Sequence, residues 1–167
     1  MEDVLNVFCK LRQTIPAKLL LIGDGPERLK MEELSRQICA PDDVRFLGKL
    51  DQVEEVLSVS DLFLMTSEKE SFGLAALEAM ACEVPVISSD AGGLPELVQD
   101  GKSGFVCKVG DVNEMVKKAI HILDEDNLSN FKKGALARAK EFDLDVILPL
   151  YENYYMRIQE KSLKSVG

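Results

Sequence analysis

The sequence predicts an α/β fold in which a parallel β-sheet is covered by helices on both faces. Short apolar runs typical of buried strands alternate along the chain with stretches that have the 3.6-residue periodicity of helices. The chain has 167 residues, of which 46% are apolar and 29% are charged. This is the size of one ordinary domain with both a core and a solvated surface, and it excludes a disordered or collagen-like chain.

The first half of the chain provides most of the predicted sheet. Apolar residues at 4, 7, 8 and 11 indicate a helix that Pro16 closes. The segment 18–22, with the apolar run Leu19-Leu20-Leu21-Ile22, predicts a strand buried on both faces, followed by a Gly-Asp-Gly-Pro turn and a helix to about Cys39. The alternation continues with strands at 44–47, 61–66 and 85–88 and helices at 52–59 and 72–82. This order favours a parallel sheet.

The second half is mainly helical. A short helix from Pro95, a turn at 100–104 and a last strand at 105–107 are followed by helices at 112–123, 128–141 and 145–161. We therefore expect a single, partial domain over residues 1–167, with an α/β core at 1–125 and carboxyl-terminal helices at 126–167.

Charge and cysteine content exclude several classes of function. The net charge of −9 opposes non-specific binding to nucleic acid or anionic lipid. No apolar run reaches the roughly 18 residues that span a bilayer, and the first residues are acidic, so we expect a cytoplasmic protein. The four cysteines form no C-x-x-C pair, which argues against a zinc site and for free thiols: Cys9, Cys39, Cys82 and Cys107.

The segment 67–78 carries the residues that are most informative about function. It lies between a predicted buried strand and the next helix, at the carboxyl edge of the sheet, where open α/β folds bind ligands. Gly73, expected in the first helical turn, leaves room for a ligand to approach the backbone. Free N–H groups and the positive end of the helix dipole there suit a phosphate group.

Two carboxylates flank this glycine. Glu70 lies in the loop and Glu78 lies eight residues later in the helix, so both can border one crevice. Carboxylates accept hydrogen bonds from sugar hydroxyls, and one can stabilise positive charge developing on an anomeric carbon. The alternative interpretation is that both are solvated helix charges.

Several motifs together show a family resemblance over residues 4–125. They are Gly23-Asp24-Gly25-Pro26, Phe46-Leu47-Gly48, Glu70-x7-Glu78 enclosing Phe72-Gly73, the segment Glu78–Ile87, and Gly92-Gly93-Leu94-Pro95-Glu96. In this order and spacing, they resemble the donor-nucleotide domain of retaining GT-B glycosyltransferases. The resemblance implies a Rossmann-like sheet, a UDP-sugar as donor substrate, and no metal or other cofactor.

The resemblance also implies roles for individual residues. Glu70 would be the catalytic residue at the donor sugar, near the reacting carbon, and Glu78 would hold the ribose hydroxyls. Lys49 lies near the position at which the family holds the base. The sugar and diphosphate would be bordered by the backbone of Ser71, Phe72, Gly73 and Leu74. Glu83 occupies a helix-end position where the family has glycine, and it costs stability only if the backbone there is left-handed.

The resemblance predicts transfer of a hexose or N-acetylhexosamine from UDP to a small hydroxyl acceptor. The run 67–74 is most similar to bacillithiol-pathway enzymes that join N-acetylglucosamine to L-malate. The donor domain of a cell-envelope polysaccharide glycosyltransferase and a non-catalytic nucleotide-binding or assembly module remain alternatives. A glycoside hydrolase also uses two carboxylates but needs no helix start directed at a phosphate.

Some parts of the family's site lie outside this sequence. The family has an Arg and a Lys before the first helix of this domain, and an amino-terminal domain that holds the acceptor; we expect this chain alone to be inactive in sugar transfer. The strand preceding that helix is central in a 3-2-1-4-5-6 sheet. We expect the strands at 18–22 and 61–66 either to pair directly or to accept a strand from a neighbouring chain, and self-association is possible.

Other candidate sites are weaker. Asp124-Glu125-Asp126 and Asp143-Leu144-Asp145 have the D-x-D spacing of some metal sites, but we interpret both as solvated surface and predict no metal site. His121, the only histidine, is predicted to be exposed on its helix. A Ser-His-Asp triad or a histidine metal site is therefore excluded.

Overall fold

The computed structural model describes residues 2–38 and 41–164 and forms an α/β structure, as predicted. The strands are β1 (Leu19–Ile22), β2 (Val44–Gly48), β3 (Phe63–Met65), β4 (Val86–Ser89) and β5 (Gly104–Cys107). The helices are α1 (Glu2–Leu11), α2 (Arg28–Ile38), α3 (Val53–Leu57), α4 (Leu74–Ala81), α5 (Leu94–Leu97), α6 (Val112–Leu123), α7 (Glu125–Lys140) and α8 (Leu144–Lys164). A short 3₁₀ helix, Pro41–Asp43, precedes β2.

One boundary that differs from its prediction is the start of α7, which begins at Glu125 rather than at 128. The Asp124 carboxylate accepts a hydrogen bond from the N–H of Asp126 at 3.0 Å. An aspartate in this position satisfies one of the free N–H groups of the first helical turn. The apolar periodicity used for the prediction begins only after this polar cap.

The strands form two separate parallel sheets rather than one. β1 pairs with β2, with Leu19 opposite Val44, whereas the second sheet has the order β3-β4-β5. Direct pairing of β1 with β3 was one expected outcome, and it is wrong. The two strands instead line a cavity of about 1380 Å³. The inner edge of each strand has no strand partner among the described residues.

This cavity explains why β1 is less buried than its sequence predicts. The run Leu19–Ile22 was expected to be buried on both faces, but all four residues are partly exposed. The surface of Leu20 is 38% accessible to solvent. Each of these residues lines the cavity. The four-residue aliphatic run therefore predicts the strand correctly, but the expectation that it is buried on both faces is wrong, since β1 has a strand neighbour on one side only among the described residues.

Helix α1 packs into two hydrophobic clusters. Leu5 and Phe8 belong to a cluster with Met31 and Val44, next to β1 and β2. Val7 and Leu11 belong to the cluster under the larger sheet, together with Ile87, Phe105, Met115, Ile122 and other buried residues. A third cluster joins α4, α5 and α7. Helix α1 therefore connects the small sheet to the large one.

The cysteine prediction is partly wrong. Cys82 and Cys107 are free thiols, as expected, but Cys9 is disulfide-bonded. Cys39 lies outside the described residues. Sequence spacing does not report which residues the packing of helices brings together, so spacing alone does not identify a disulfide.

Helix α8 leaves a large apolar surface in contact with solvent. Its exposed side chains include Leu144, Val146, Leu148, Leu150, Tyr151, Tyr154, Tyr155, Met156 and Ile158. Among residues 2–38 and 41–164, no helix combines the length and apolar composition required to cross a lipid bilayer.

Candidate functional site

The loop between β3 and α4 is fixed at its base by β4. The Ser89 hydroxyl, at the end of β4, donates a hydrogen bond to the carbonyl oxygen of Ser67. Thr66, which begins the loop, is buried. Because β3, β4 and β5 are parallel, this loop and the segment after Ser89 leave the sheet at the same edge. The predicted location of segment 67–78 is therefore correct.

Glu70 is half-buried and folds back over its own loop. Its Oε1 accepts a hydrogen bond from the backbone N–H of Ser71 at 3.0 Å. This contact fixes the direction of the carboxylate and uses only one of its two oxygens among the contacts of the described residues. The other oxygen can accept hydrogen bonds from a ligand hydroxyl.

Gly73 is the residue preceding α4 rather than part of its first turn. Its φ of +97° is left-handed, and its carbonyl accepts hydrogen bonds from the N–H groups of Ala76 and Leu77. A β-carbon at this position would lie 2.6 Å from Cδ2 of Leu94. The left-handed backbone angle and the lack of room for a β-carbon therefore both favour glycine at this position. Because no side chain caps α4, its first N–H groups remain available to an anion.

Two adjacent glycines, Gly92 and Gly93, pack against this loop. A β-carbon on Gly92 would lie 1.5 Å from the carbonyl oxygen of Glu70, and one on Gly93 would lie 2.6 Å from the carbonyl oxygen of Ser71. Gly92 also has a left-handed φ of +55°. The loop after β4 thus holds the loop after β3 through backbone contact. Gly92 and Gly93 belong to a motif recognised in the sequence, but they were not among the predicted site residues.

These two loops form one wall of a cavity of about 500 Å³, and the end of α7 together with the residues just after it forms another. Its lining residues are Ser71, Phe72, Gly92, Gly93, Glu96, Arg138 and Phe142. Phe72 contacts Phe142 edge to face, with ring centroids 5.6 Å apart. The Arg138 Nε donates to the carbonyl of Leu97 at 2.9 Å, and the guanidinium carbon lies 4.7 Å from the Phe142 ring.

Arg138 is a structural cation in this arrangement. Besides Leu97, it contacts the carbonyl of Glu96 and the carboxylate of Glu141. Its donors are therefore directed at the protein rather than at the cavity. Sequence reasoning missed Arg138 and Phe142, since no local pattern reports a contact between residues 41 positions apart.

The remaining predicted site residues lie outside this cavity. Leu74 and Glu78 are exposed and, being four residues apart on α4, share one side of the helix. Lys49 is exposed immediately after β2, in the smaller sheet. Ser71 and Phe72 therefore line one pocket, and Glu70 and Gly73 lie in the same loop. Lys49 lies apart from them, just after β2.

The pKa values of the two free thiols argue against a cysteine nucleophile. Burial raises the pKa of Cys107 to about 11, with a smaller contribution from Glu114. The pKa of Cys82, at the end of α4, is also raised, by burial and then by the negative charges of Glu54 and Glu78. Both thiols are therefore protonated at neutral pH, whereas the thiolate is the reactive form.

The weaker candidate sites have structural roles on the surface. Asp124 and Asp143 each accept a hydrogen bond from the N–H two residues later. His121 is exposed, as predicted, and its ring centroid lies 5.8 Å from those of Phe105 and Phe131. In the described ranges, no cluster of three or more His, Cys, Asp or Glu residues could hold a metal ion.

Comparison with known proteins identifies the family of this chain. Residues 1–137 match the family model described as "Glycosyl transferases group 1". The chain is 44% identical over 157 residues to N-acetyl-alpha-D-glucosaminyl L-malate synthase of Bacillus anthracis, and this match covers 92% of the chain and 41% of the relative. The chain thus spans less than half the length of that relative.

Solved structures share the fold. Sucrose-phosphate synthase from Thermosynechococcus elongatus is 28% identical with a TM-score of 0.80, over 94% of this chain and 42% of that one. HepE of Anabaena in complex with UDP is 25% identical with a TM-score of 0.80, over 93% of this chain and 45% of that one. The family match and the sequence similarity show that the chain belongs to the glycosyl transferase group 1 family.

Proposed function

We propose that this chain is the donor-binding half of a retaining glycosyltransferase that moves a hexose or N-acetylhexosamine from UDP to a small hydroxyl acceptor. One observation carries the proposal: the carboxylate of Glu70 and the uncapped amino terminus of α4 belong to a single loop, which Gly92 and Gly93 hold in place. A nucleotide-sugar site requires a carboxylate near the sugar and hydrogen-bond donors near the phosphates.

The amino terminus of α4 would bind the diphosphate. Its free N–H groups and helix dipole stabilise the negative charge that accumulates on UDP as the bond to the sugar breaks. The space beside Gly73 is filled by Leu94 and not by a ligand, so the phosphate oxygens would meet the free N–H groups of the first turn of α4 instead. This mechanism uses backbone donors at the phosphates and requires no metal.

Glu70 would act at the sugar. Positive charge develops on the anomeric carbon in the transition state, and the half-buried carboxylate, directed by the N–H of Ser71, is suited to stabilise that charge and to accept sugar hydroxyls. The backbone of residues 71–74 would border the sugar and the diphosphate. We include Lys49 as a further donor-binding residue on the basis of the family resemblance.

Glu78 would bind the ribose. It lies four residues beyond Leu74, about 6 Å along the helix axis at 1.5 Å per residue. A nucleotide whose diphosphate contacts the start of α4 could therefore extend along the helix and place its ribose hydroxyls against an exposed carboxylate.

The name of the Bacillus anthracis relative suggests specific substrates. That name describes the synthesis of N-acetylglucosaminyl L-malate, which makes UDP-N-acetylglucosamine and L-malate the first pair to test. We place the reaction in the cytoplasm, where nucleotide sugars and malate are both available. The acceptor would be held by a second domain across a cleft, since catalysis requires both reactants in one geometry.

Calorimetric titration of the 167-residue chain with UDP and UDP-N-acetylglucosamine tests the donor site. We expect both to bind, and Glu78→Gln to weaken UDP roughly tenfold, as expected for loss of a hydrogen bond to a charged group. Glu33→Gln, an exposed glutamate on α2, is the matched control and should leave UDP binding unchanged. Absence of UDP binding, or equal effects of the two substitutions, would contradict the proposal.

An assay of UDP release separates donor binding from catalysis. With UDP-N-acetylglucosamine and L-malate, the chain alone should transfer no sugar at a useful rate, and a longer protein carrying the acceptor domain should. Transfer by the chain alone at the rate of the longer protein would show that the acceptor site lies within these residues. Binding of UDP without transfer in the longer protein would favour a nucleotide-binding module.

A further inference from the structure

The rings of Phe72 and Phe142 join the loop after β3 to the segment that follows α7. Their centroids lie 5.6 Å apart and their planes are inclined by 69°, which is an edge-to-face contact. Phe142 lies two residues beyond the end of α7 and is partly buried, whereas Phe72 is 37% exposed. Aromatic pairs in this geometry attract each other beyond the effect of the area they bury. The contact with Phe142 therefore restrains Phe72.

Phe142 is itself held by Arg138. The guanidinium carbon lies 4.7 Å from the centroid of the Phe142 ring, within the range of a cation–π interaction. The same guanidinium donates hydrogen bonds to the carbonyl oxygens of Glu96 and Leu97, at the end of α5. Arg138 therefore fixes the Phe142 ring relative to α5, the helix that directly follows the two glycines packed against the site loop.

Phe72 is next in the chain to the group that directs the Glu70 carboxylate. The backbone N–H of Ser71 donates to Glu70 Oε1 at 3.0 Å, although Ser71 is exposed. Gly92 and Gly93 limit how closely the two loops approach, which is a steric boundary rather than an attraction. The edge-to-face contact of Phe72 adds an attractive force that keeps the loop in this position.

The start of α4 is fixed by other contacts. The carbonyl of Gly73 accepts hydrogen bonds from the N–H groups of Ala76 at 3.0 Å and Leu77 at 3.1 Å. Leu94 fills the space beside Gly73. These contacts do not depend on Phe142. Loss of the Phe142 ring should therefore disturb the end of the loop that carries the carboxylate and leave the amino terminus of α4 in place.

We propose that Phe142 is a positioning residue for the Glu70 carboxylate, acting through Phe72 and the N–H of Ser71. The inference rests on the proposed role of Glu70 at the donor sugar and extends it to a residue outside the loop. Because the diphosphate is proposed to bind at α4, Phe142 supports recognition of the sugar and not of the nucleotide.

A double-mutant cycle in the 167-residue chain tests the proposal. The variants are Phe142→Leu, Phe72→Leu and the two combined, since leucine remains apolar but removes the ring. Phe131→Leu is the matched control: Phe131 lies on α7, is 6% exposed and is in ring contact with Phe105 at 5.4 Å, but it belongs to the cluster under the larger sheet. Each variant is titrated calorimetrically with UDP and UDP-N-acetylglucosamine. Thermal unfolding and the NMR signal of the Ser71 amide are measured without ligand.

We expect Phe142→Leu to weaken UDP-N-acetylglucosamine roughly fivefold, as for loss of one aromatic pair, while UDP binding changes by less than about twofold. The Ser71 amide proton should move upfield and exchange faster with solvent as its hydrogen bond opens. Phe72→Leu should have the same effects, and the double variant should add little, because both substitutions remove one contact. Phe131→Leu should lower the melting temperature without changing the Ser71 amide or either affinity.

Three results would overturn the proposal: an unchanged Ser71 amide in Phe142→Leu, equal weakening of UDP and UDP-N-acetylglucosamine, or additive effects in the double variant. Equal effects of Phe142→Leu and Phe131→Leu on the Ser71 amide would also overturn it. If Phe142→Leu does not fold, Phe72→Leu decides through the same amide. Failure of the unsubstituted chain to bind UDP would contradict the proposed function, whereas the ligand-free amide still decides whether Phe142 positions the loop.

Discussion

Gly92 and Glu70 are in backbone contact: a β-carbon on Gly92 would lie 1.5 Å from the carbonyl oxygen of Glu70. This distance is far below any non-bonded contact, so the loops after β3 and β4 can approach as they do only because residue 92 has no side chain. The direction of the Glu70 carboxylate depends on the same loop, through its hydrogen bond from the N–H of Ser71. Packing and proposed chemistry therefore depend on one glycine.

The substitution Gly92→Ala should displace the loop that carries Glu70. We expect a loss of roughly 1–3 kcal/mol in the free energy of unfolding and weaker binding of a UDP-sugar, measured by chemical denaturation and calorimetry. Gly110→Ala is the matched control, because Gly110 also has a left-handed φ, of +78°, but no atom lies within 4 Å of the β-carbon that alanine would add. Similar losses from both substitutions would show that backbone strain, and not the contact with Glu70, determines the effect.

Glu83 is a non-glycine residue in a left-handed conformation at the end of α4. Its φ is +62°, its N–H donates to Met80, and the N–H of Val84 donates to Ala79, which is the hydrogen-bond pattern of a glycine-terminated helix. We expect Glu83→Gly to stabilise the protein by about 1 kcal/mol, measured by thermal unfolding. Glu83→Ala removes the carboxylate but keeps the strain, so a gain from alanine equal to that from glycine would contradict this explanation.

Glu70 and Glu78 should affect different kinetic constants in a protein that carries both domains. If Glu78 holds the ribose in the ground state and the transition state alike, Glu78→Gln raises the donor KM with little change in kcat. Glu70→Gln lowers kcat, since its charge interacts with the positive charge of the transition state. Initial rates at varied donor concentration measure both. Small, equal changes in the kinetic constants of both variants would show instead that both residues are solvated charges.

Asp43 predicts an acid-dependent loss of stability. Its carboxylate is bonded to Lys18 at 2.6 Å and contacts Arg12, and these cations hold its pKa below the ordinary value. The unfolded chain therefore binds the proton first as the pH falls, so the stabilisation is complete above about pH 4 and is lost as the pH falls further, through the folded-state pKa.

The substitution Asp43→Asn tests this pH dependence. It should lower stability near neutral pH and flatten the decrease in stability below about pH 4, measured by urea denaturation at a series of pH values. The exposed neighbour provides a control, since Asp42→Asn should leave the acid profile unchanged. An unaltered profile in Asp43→Asn would show that other carboxylates determine the acid sensitivity.

Local patterns in the sequence predict the elements of this fold well. The aliphatic run at β1 and the apolar periodicity of α1 and α6 each come from residues close together in the chain. The site loop was also predictable, because the position after a buried parallel strand follows from topology. Glu83 was identified as a departure from glycine, and its left-handed backbone now shows that the departure has a cost.

The remaining features depend on contacts between distant segments. The pocket wall formed by Arg138 and Phe142 requires α7 to pack against residues some 40 to 70 positions earlier. The disulfide bond of Cys9 was likewise not predicted, because spacing along the chain does not report which cysteines lie close together in space. Gly73 was placed two positions too far into its helix, which was predicted to begin at 72 and begins at Leu74. The left-handed backbone angle of Gly73 has no local signature other than glycine itself.

The two-sided packing of α1 has a consequence for how the protein opens. Leu5 and Phe8 stabilise the small sheet, whereas Val7 and Leu11 hold the same helix to the large sheet. A fluctuation that releases α1 would therefore uncouple β1, α2 and β2 from the rest while leaving the larger cluster assembled. The small sheet is expected to behave as its own foldon, with amides that exchange through subglobal opening, and α1 determines the free energy of that opening.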